Sequence, residues 1–343
     1  MKQVQAFGPQ DLRVVDVPEP AAGAGEVIVE VRACGICGSD KWFWNVERHS
    51  EYVAGHEVAG LVTAVGPGVR SLQPGDRVAV NNVKGCGECP ACLEGAFIRC
   101  PNTVEHMGFG FSERIAVPER NCLLLDPSLS YEQGALLFDN WGTPYSALAR
   151  TSMGPGDWAA VTGCGPIGLA AIGLAVQRGA RVAAVDPIAE RRQYAIAMGA
   201  ELALDPAAGD HGLDAELRDF TGGHGLDYVV ECSGRSSSYE LAFRALAMRG
   251  TIVAIGEHAR VTFDSSDLIH RHYTIVGSLY SGMTDGEEVQ KLMVRGEIDP
   301  IRIVTHRFGL EDIPQRFGQV FEASGGLMKS VVVNGGGSGA GRI

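Results

Sequence analysis

Basic charge, aromatic residues and long apolar runs are all scarce in this chain of 343 residues. Lys and Arg number 29 against 41 acidic residues, a formal net charge of −12, so a phosphate-backbone partner would meet repulsion and nucleic acid is not expected. The most apolar window, residues 167–176, is too short to span a bilayer and is interrupted by Gly168 and Gly173. It reads as a buried helix, and no membrane segment is expected. Charged residues make up 20% and aromatics 7%, yet 45% of the chain is hydrophobic, which suits about two globular domains with ample core. Nine cysteines is an odd number, and residues 1–15 lack the charged-then-apolar pattern of a secretory signal. The thiols are therefore expected to stay reduced and the protein to be cytoplasmic.

Four of those cysteines, Cys86, Cys89, Cys92 and Cys100, follow one another with gaps of two, two and seven residues. Thiolates so spaced can wrap one tetrahedral Zn²⁺, and random burial of free thiols would not concentrate them in this way. A site with four protein ligands has no open position, so this metal would brace a lobe at about 84–102 and do no chemistry.

Residues 1 to about 140 carry short alternating runs such as Glu26-Val-Ile-Val-Glu-Val-Arg32, punctuated by glycine and proline turns. That composition predicts strands and turns. From about 157 the pattern becomes apolar strand, glycine turn, helix and strand, with strands expected at 158–162, 181–185, 226–231, 251–255 and 274–278 and helices at 163–178 and 239–248. Alternating β and α units imply a parallel sheet. A short helix is expected at 285–294, and the Gly/Ser-rich tail, 335–343, should be flexible.

Between the first strand of that region and its helix lies Gly163-Cys164-Gly165-Pro166-Ile167-Gly168, and Asp186 closes the next strand. Strand, glycine turn, helix and late acid in this order fit a dinucleotide whose pyrophosphate rests on a helix N-terminus. Asp186 can accept from both ribose hydroxyls and would repel a 2′-phosphate, which favours NAD over NADP. Arg191 can flank the adenine ribose in either cofactor or lie solvated on a helix. Cys164 is small and is expected to pack.

Cys37 and His56 are ligand types for a second zinc, although their separation alone does not establish one. Several motifs accompany them: Cys37-Gly38-Ser39-Asp40, Gly55-His56-Glu57 running on to Val65-Gly66, Gly75-Asp76-Arg77-Val78, the four-cysteine lobe and the loop Gly163 to Gly168. In this order, over nearly the whole chain, they resemble the zinc-dependent medium-chain dehydrogenase/reductase family, which includes alcohol, sorbitol and threonine dehydrogenases. The resemblance implies an α/β fold in which a Rossmann doubly wound parallel sheet (144–280) is inserted in a GroES-like β-rich catalytic domain (1–143 and 281–343). It makes Cys37, His56 and Asp139 ligands of a catalytic zinc, so that two zinc ions are expected per chain. It also makes Glu57 either a supporting carboxylate or an alternate ligand, and Ser39 the hydroxyl that passes on the alcohol's proton. The bland alternative for Glu57 is a buried acid paired with an arginine.

Trp42 stands where many relatives carry a histidine that continues the proton relay, and His49 is a candidate substitute. Trp42, Phe43 and Trp44 form an aromatic run that is either a floor for a ring-shaped substrate or packing, so Trp42, Trp44 and His49 are candidate pocket residues. Asn81, Asn82, Asn140 and Trp141 are further candidates to reach the cleft, although sequence alone does not place them. The resemblance implies hydride transfer between a nicotinamide cofactor and a secondary alcohol or ketone of a polyol, sugar or aminocyclitol. The alternatives are a biosynthetic carbonyl reductase of a hydrophobic or ring-shaped substrate, and a non-catalytic nucleotide- and zinc-binding structural or regulatory protein. Relatives pair their nucleotide-binding domains, which makes the strand near 274–278 the expected seam of a homodimer or homotetramer.

Overall fold

A computed structural model describes residues 1–207, 212–321 and 326–335. The tail expected to be flexible lies, from residue 336 on, outside the described residues. The chain divides into two compact units, Met1–Asp139 with Ser281–Ile343, and Asn140–Tyr280.

The first unit is built on a seven-stranded sheet. Its order is Val304–Phe308, Lys329–Val333, Glu26–Ile36, Glu57–Val65, Arg77–Val80 and Cys122–Leu124, with Arg114–Pro118 also pairing Glu26–Ile36. Glu26–Ile36 has neighbours on both edges, and Val27, Ile28 and Val29 are all buried, so the strict alternation of a half-exposed strand is lost at its start. Gly60 lies where this pair is closest: a Cβ there would stand 2.1 Å from the Glu30 carbonyl oxygen. The core beneath gathers Val4, Val29, Val31, Phe43, Phe111 and Phe317. Two consequences matter for function. The end of Glu26–Ile36 delivers Cys37, and the start of Glu57–Val65 delivers His56, with Gly35 opposite Glu57 in the ladder.

The second unit holds the expected doubly wound sheet. Six strands run parallel in the order Leu202–Leu204, Arg181–Val185, Trp158–Thr162, Leu226–Glu231, Leu246–Ala254 and Thr274–Gly277. The strand order reverses between Trp158–Thr162 and Leu226–Glu231, which in such sheets marks the nucleotide crevice. Residues 140–143, expected in the β-rich part, belong to this unit, and the helix they open, Gly142–Ala149, packs on helix Pro166–Gln177. The helix expected at 239–248 is instead Ser236–Ala245, and Leu246 turns extended to begin a strand. Burial explains the early stop: Leu246 pairs with Leu226 in the sheet and its carbonyl accepts the Tyr273 hydroxyl at 3.2 Å.

Candidate active site and metal centres

The capping box of Ser130 and Gln133 starts helix Tyr131–Ala135, which runs into a π-helical turn, Leu137–Trp141. Such turns recur at functional sites because the extra residue re-aims a side chain. Here the turn carries Asp139. It is fixed by Phe138, whose carbonyl accepts the Ser281 hydroxyl at 2.7 Å and whose ring fills the space a side chain at Gly286 would need.

Donor atoms of Cys37, His56, Glu57 and Asp139 all lie within 4.8 Å of one another. His56 Nε2 is 3.2 Å from Asp139 Oδ2, and His56 Nδ1 is 3.2 Å from Asp40 Oδ1. Asp40 is 1% exposed and its other oxygen accepts the Cys37 backbone N–H at 2.9 Å. One carboxylate therefore orients the imidazole through Nδ1 and leaves Nε2 for the cluster, as the carboxylate behind a metal-bound histidine does. Burial opposes protonation of His56, but Asp40 and Asp139 outweigh it and raise its pKa well above the ordinary value. Burial, reinforced by Asp139, pushes the Cys37 thiol up. Although burial works against it, the bond from His56 holds Asp139 down at about 2. The cluster thus favours positive charge, and its thiol, imidazole and carboxylate are donors that suit Zn²⁺.

Glu57 is the fourth member of this cluster. Its Oε1 accepts from Lys329 Nζ at 2.5 Å, while Oε2 is buried and has no hydrogen-bond partner among the described residues. The partner of this buried acid is a lysine, not the arginine of the bland alternative. Lys329 also donates to the Ile36 carbonyl at 2.9 Å, so one ammonium, 1% exposed, ties together the two chain segments that deliver Cys37 and His56. Burial pushes the Glu57 carboxyl up to about 7 against the pull of Lys329.

In the lobe, the sulfurs of Cys86, Cys89, Cys92 and Cys100 likewise lie within 4.8 Å of one another. The Cys100 sulfur accepts the backbone N–H groups of Cys86 and Thr103, both at 3.4 Å, and these bonds hold its thiol down to about 6, near the thiolate a metal binds.

The glycine loop forms a cradle with little room. Gly163 has φ +85° and a Cβ there would stand 2.8 Å from the Ser233 backbone; one at Gly168 would stand 1.9 Å from the Gly163 carbonyl oxygen. Space beside Gly165 is open, so backbone is exposed where a ligand can approach. Pro166 opens the helix, which leaves the N–H groups of Ile167 and Gly168 ahead of the first helical bond, Leu169 N–H to the Gly165 carbonyl at 2.9 Å. Asp186 is buried at the end of its strand and accepts the backbone N–H of Cys164 at 2.7 Å and of Ile188 at 2.8 Å. Arg191 Nη1 lies 3.8 Å from Asp186 Oδ2. This arrangement fits a dinucleotide.

Residues 23–127 match the family model for an alcohol dehydrogenase GroES-like domain, and residues 166–295 match that for a zinc-binding dehydrogenase. The zinc-type alcohol dehydrogenase-like protein YphC of Escherichia coli is 33% identical, covering 94% of this chain and 95% of its own. This chain belongs to the zinc-dependent medium-chain alcohol dehydrogenase family. As such it is an oxidoreductase that works with zinc and a nicotinamide cofactor. Another relative of this dehydrogenase, the L-galactonate-5-dehydrogenase of E. coli, is 30% identical and covers 91% of this chain and 93% of its own. The solved 2R,3R-butanediol dehydrogenase of Bacillus subtilis superposes with a TM-score of 0.86 at 29% identity, covering 97% of this chain and 99% of its own.

The remaining expected site residues of the dehydrogenase are dispersed. Ser39 is exposed in the turn Gly38–Asp40. Trp42 is exposed too, its ring 5.3 Å from Tyr52. Trp44 instead packs on Phe317 at 5.9 Å, and the His49 ring stacks on Phe7 at 4.5 Å and bonds Gln5. Two residues given no role in the sequence bond to members of the ligand cluster, Asp40 to His56 and Lys329 to Glu57. Asp40 was within reach as part of the Cys37 motif, whereas nothing local marks Lys329, 272 positions beyond Glu57.

Proposed function

We propose that this dehydrogenase oxidises a secondary alcohol of a polyol, sugar or aminocyclitol with NAD, using Cys37, His56 and Asp139 to hold its catalytic zinc and the four lobe cysteines to hold a structural one. The observation that carries the reading is the buried cluster of thiol, imidazole and carboxylate, with the fourth carboxylate, Glu57, bonded to Lys329. Support for the substrate class comes from relatives whose names give a sugar acid and a vicinal diol.

When bound, zinc supplies Lewis acidity toward the substrate oxygen and the nicotinamide accepts the hydride. Asp40 keeps a proton on His56 Nδ1 and so keeps Nε2 a donor atom. Ser39 Oγ takes the proton of the substrate hydroxyl and passes it to water, because it is exposed two residues from Cys37. Trp42 has no basic group and does not extend that relay. Ile167 and Gly168 N–H groups bind the pyrophosphate, and Asp186 reads the adenine ribose. Asp186 beside the loop favours NAD, since a 2′-phosphate would meet its carboxylate.

The test is NADH formation by purified enzyme against polyols, aminocyclitols and simple alcohols, with NADP in parallel, and NADPH oxidation against the corresponding ketones. The expected result is turnover of polyhydroxylated substrates with NAD preferred by about tenfold or more in kcat/KM, the size of one lost charged contact. Turnover confined to ketones with NADPH would favour the carbonyl-reductase reading instead.

Thr274–Gly277 is the last strand of its sheet and Ile275 on it is 41% exposed. We read this edge as a pairing surface for a second copy of the chain, because an open edge with apolar side chains recruits another strand. Sedimentation velocity should show a dimer or tetramer that Ile275→Lys shifts toward monomer; a wild-type monomer at micromolar concentration would contradict it. The described residues include no helix long and apolar enough to cross a membrane. Nine free thiols fit a reducing compartment, so the enzyme is expected in the cytoplasmic fraction on cell fractionation.

A further inference from the structure

We infer that Asn82, together with the exposed aromatic trio Trp42, Tyr52 and Phe109, recognises a polyhydroxylated ring, with the Asn82 amide donating to a hydroxyl beside the carbon that is oxidised. The inference rests on the polyol reading above and sharpens it to a ring-shaped substrate with neighbouring hydroxyls.

Asn82 is 4% exposed and, among the described residues, its Nδ2 has no hydrogen-bond partner. The two asparagines around it behave differently. Asn81 donates to the Ser281 carbonyl and accepts from the Val83 N–H, both at 3.0 Å, and Asn121 donates to the carbonyls of Asn81 and Val83. Those two hold the backbone in place, and the donor they leave over belongs to Asn82. A buried amide without a partner is costly to the fold, and a bound hydroxyl removes that cost.

Backbone register places the segment of Asn82 beside the one that carries His56. Val80 pairs with Val58 across the sheet, so the chain beyond Val80 runs alongside the segment that leads back to His56. The Asn82 carbonyl accepts from Met107 N–H at 2.7 Å. Two residues on, Phe109 N–H donates to the Val53 carbonyl at 2.9 Å, and Gly110 N–H to the Gly55 carbonyl at 2.7 Å. Segments 80–83, 105–111 and 53–58 therefore lie side by side, and His56 sits among them.

The same register exposes the aromatics. Cβ atoms at Gly108 and Gly110 would stand 2.2 Å from the Val53 oxygen and 2.6 Å from the Gly55 oxygen, so the chain is pressed flat on both sides of Phe109. Phe109 is held at φ +72°, left-handed for a bulky residue, and is 38% exposed. Strain of this kind persists where the surroundings impose it, and functional sites collect it. Its ring lies 5.4 Å from Tyr52 and that of Tyr52 lies 5.3 Å from Trp42, whose exposures are 37% and 47%. Phe43, by contrast, is fully buried against Phe111 and Phe317. Aromatic faces stack on the C–H face of a saturated ring, while a polar group at the side reads its hydroxyls. Stacking alone would accept any ring. A site built to bond a hydroxyl rejects the analogue that lacks it.

The test uses the zinc-loaded enzyme and three probes: cyclohexanol, trans-1,2-cyclohexanediol and myo-inositol. Affinities come from calorimetry with NADH bound, where no oxidation can run, and kcat/KM from NADH formation with NAD as the hydride acceptor. Wild type should favour the diol and inositol over cyclohexanol by about 10- to 100-fold, the range of one satisfied buried donor. Asn82→Leu should erase that preference by weakening the polyols while cyclohexanol binding stays within about twofold. Asn82→Ser, which keeps a hydroxyl donor, should retain part of it. Trp42→Ala should weaken all three rings by a similar factor, about three- to tenfold, with zinc content unchanged. If Asn82→Leu fails to melt cooperatively, Asn82→Ser carries the comparison and must lower the ratio. A ratio unmoved in both variants while polyols are still bound would overturn the inference and leave the polyol reading standing. Wild type that binds and oxidises only monohydric alcohols would overturn the polyol reading itself.

Discussion

Cys37→Ser should reduce NAD-linked turnover by about three orders of magnitude or more, roughly 4 kcal/mol of transition-state stabilisation, while the melting temperature moves by only a few degrees. The side chain sits at the end of a strand held by ladders on both edges, and Lys329 independently anchors the adjacent Ile36 carbonyl. Loss of the sulfur therefore removes a donor from the cluster without removing a wall of the fold. Cys100→Ser supplies the contrast. Its sulfur gathers two backbone N–H groups and holds the two ends of the lobe together. Without it the melting temperature should fall by about 10 °C, with residual activity lost through unfolding rather than through chemistry. Steady-state rates, zinc analysis and calorimetry on the two variants separate these effects; equal loss of stability in both would contradict the division into a working site and a bracing site.

Lys329→Met is the second large effect. It leaves the Glu57 carboxylate buried and unpaired, and breaking a buried ion pair in this way costs about 3–5 kcal/mol near neutral pH. Removing the acid as well, in Glu57→Gln with Lys329→Met, should recover most of that stability, because a neutral pair no longer needs charge compensation. The sign of the pH dependence follows from Glu57. Burial already raises its carboxyl to about 7, above the unfolded value, and loss of Lys329 raises it further. The folded variant then binds more protons than the unfolded chain, so its stability is greatest at low pH and falls as pH rises through the folded value. Urea unfolding of Lys329→Met should thus show a smaller deficit against wild type at pH 5 than at pH 8. A deficit that grew on acidification would show that Lys329 acts through something other than this acid. Activity should fall too, since Lys329 ties the Ile36 carbonyl beside Cys37 to the Glu57 side chain beside His56.

The contrast between these residues explains what the sequence discloses and what it hides. The lobe cysteines are legible because metal geometry is written in their spacing, and the nucleotide loop because strand, glycine turn and helix occur in one continuous stretch. That the second sheet is parallel follows from the same alternation, whereas its strand order does not. Asp40 lies in plain view three residues from Cys37, but its bond to His56 Nδ1 depends on where another strand returns. Lys329 is beyond any local pattern, because it meets Glu57 only through the pairing of Lys329–Val333 with Glu26–Ile36. The aromatic run shows the opposite failure. Trp42, Phe43 and Trp44 share a single helical turn, Lys41–Trp44, so neighbours in sequence face different ways: Trp42 outward, Phe43 into the core and Trp44 against Phe317. Phe109 and Tyr52, far apart in sequence, supply the rings that Trp42 actually joins.

Elemental analysis of zinc in the purified wild-type chain tests the central claim most directly, provided the same sample is assayed for NAD-linked oxidation of polyols. The account predicts two zinc ions per chain in active enzyme, falling to one in Cys37→Ser with the fold retained. One zinc per chain in fully active wild type, or two in Cys37→Ser, would contradict it.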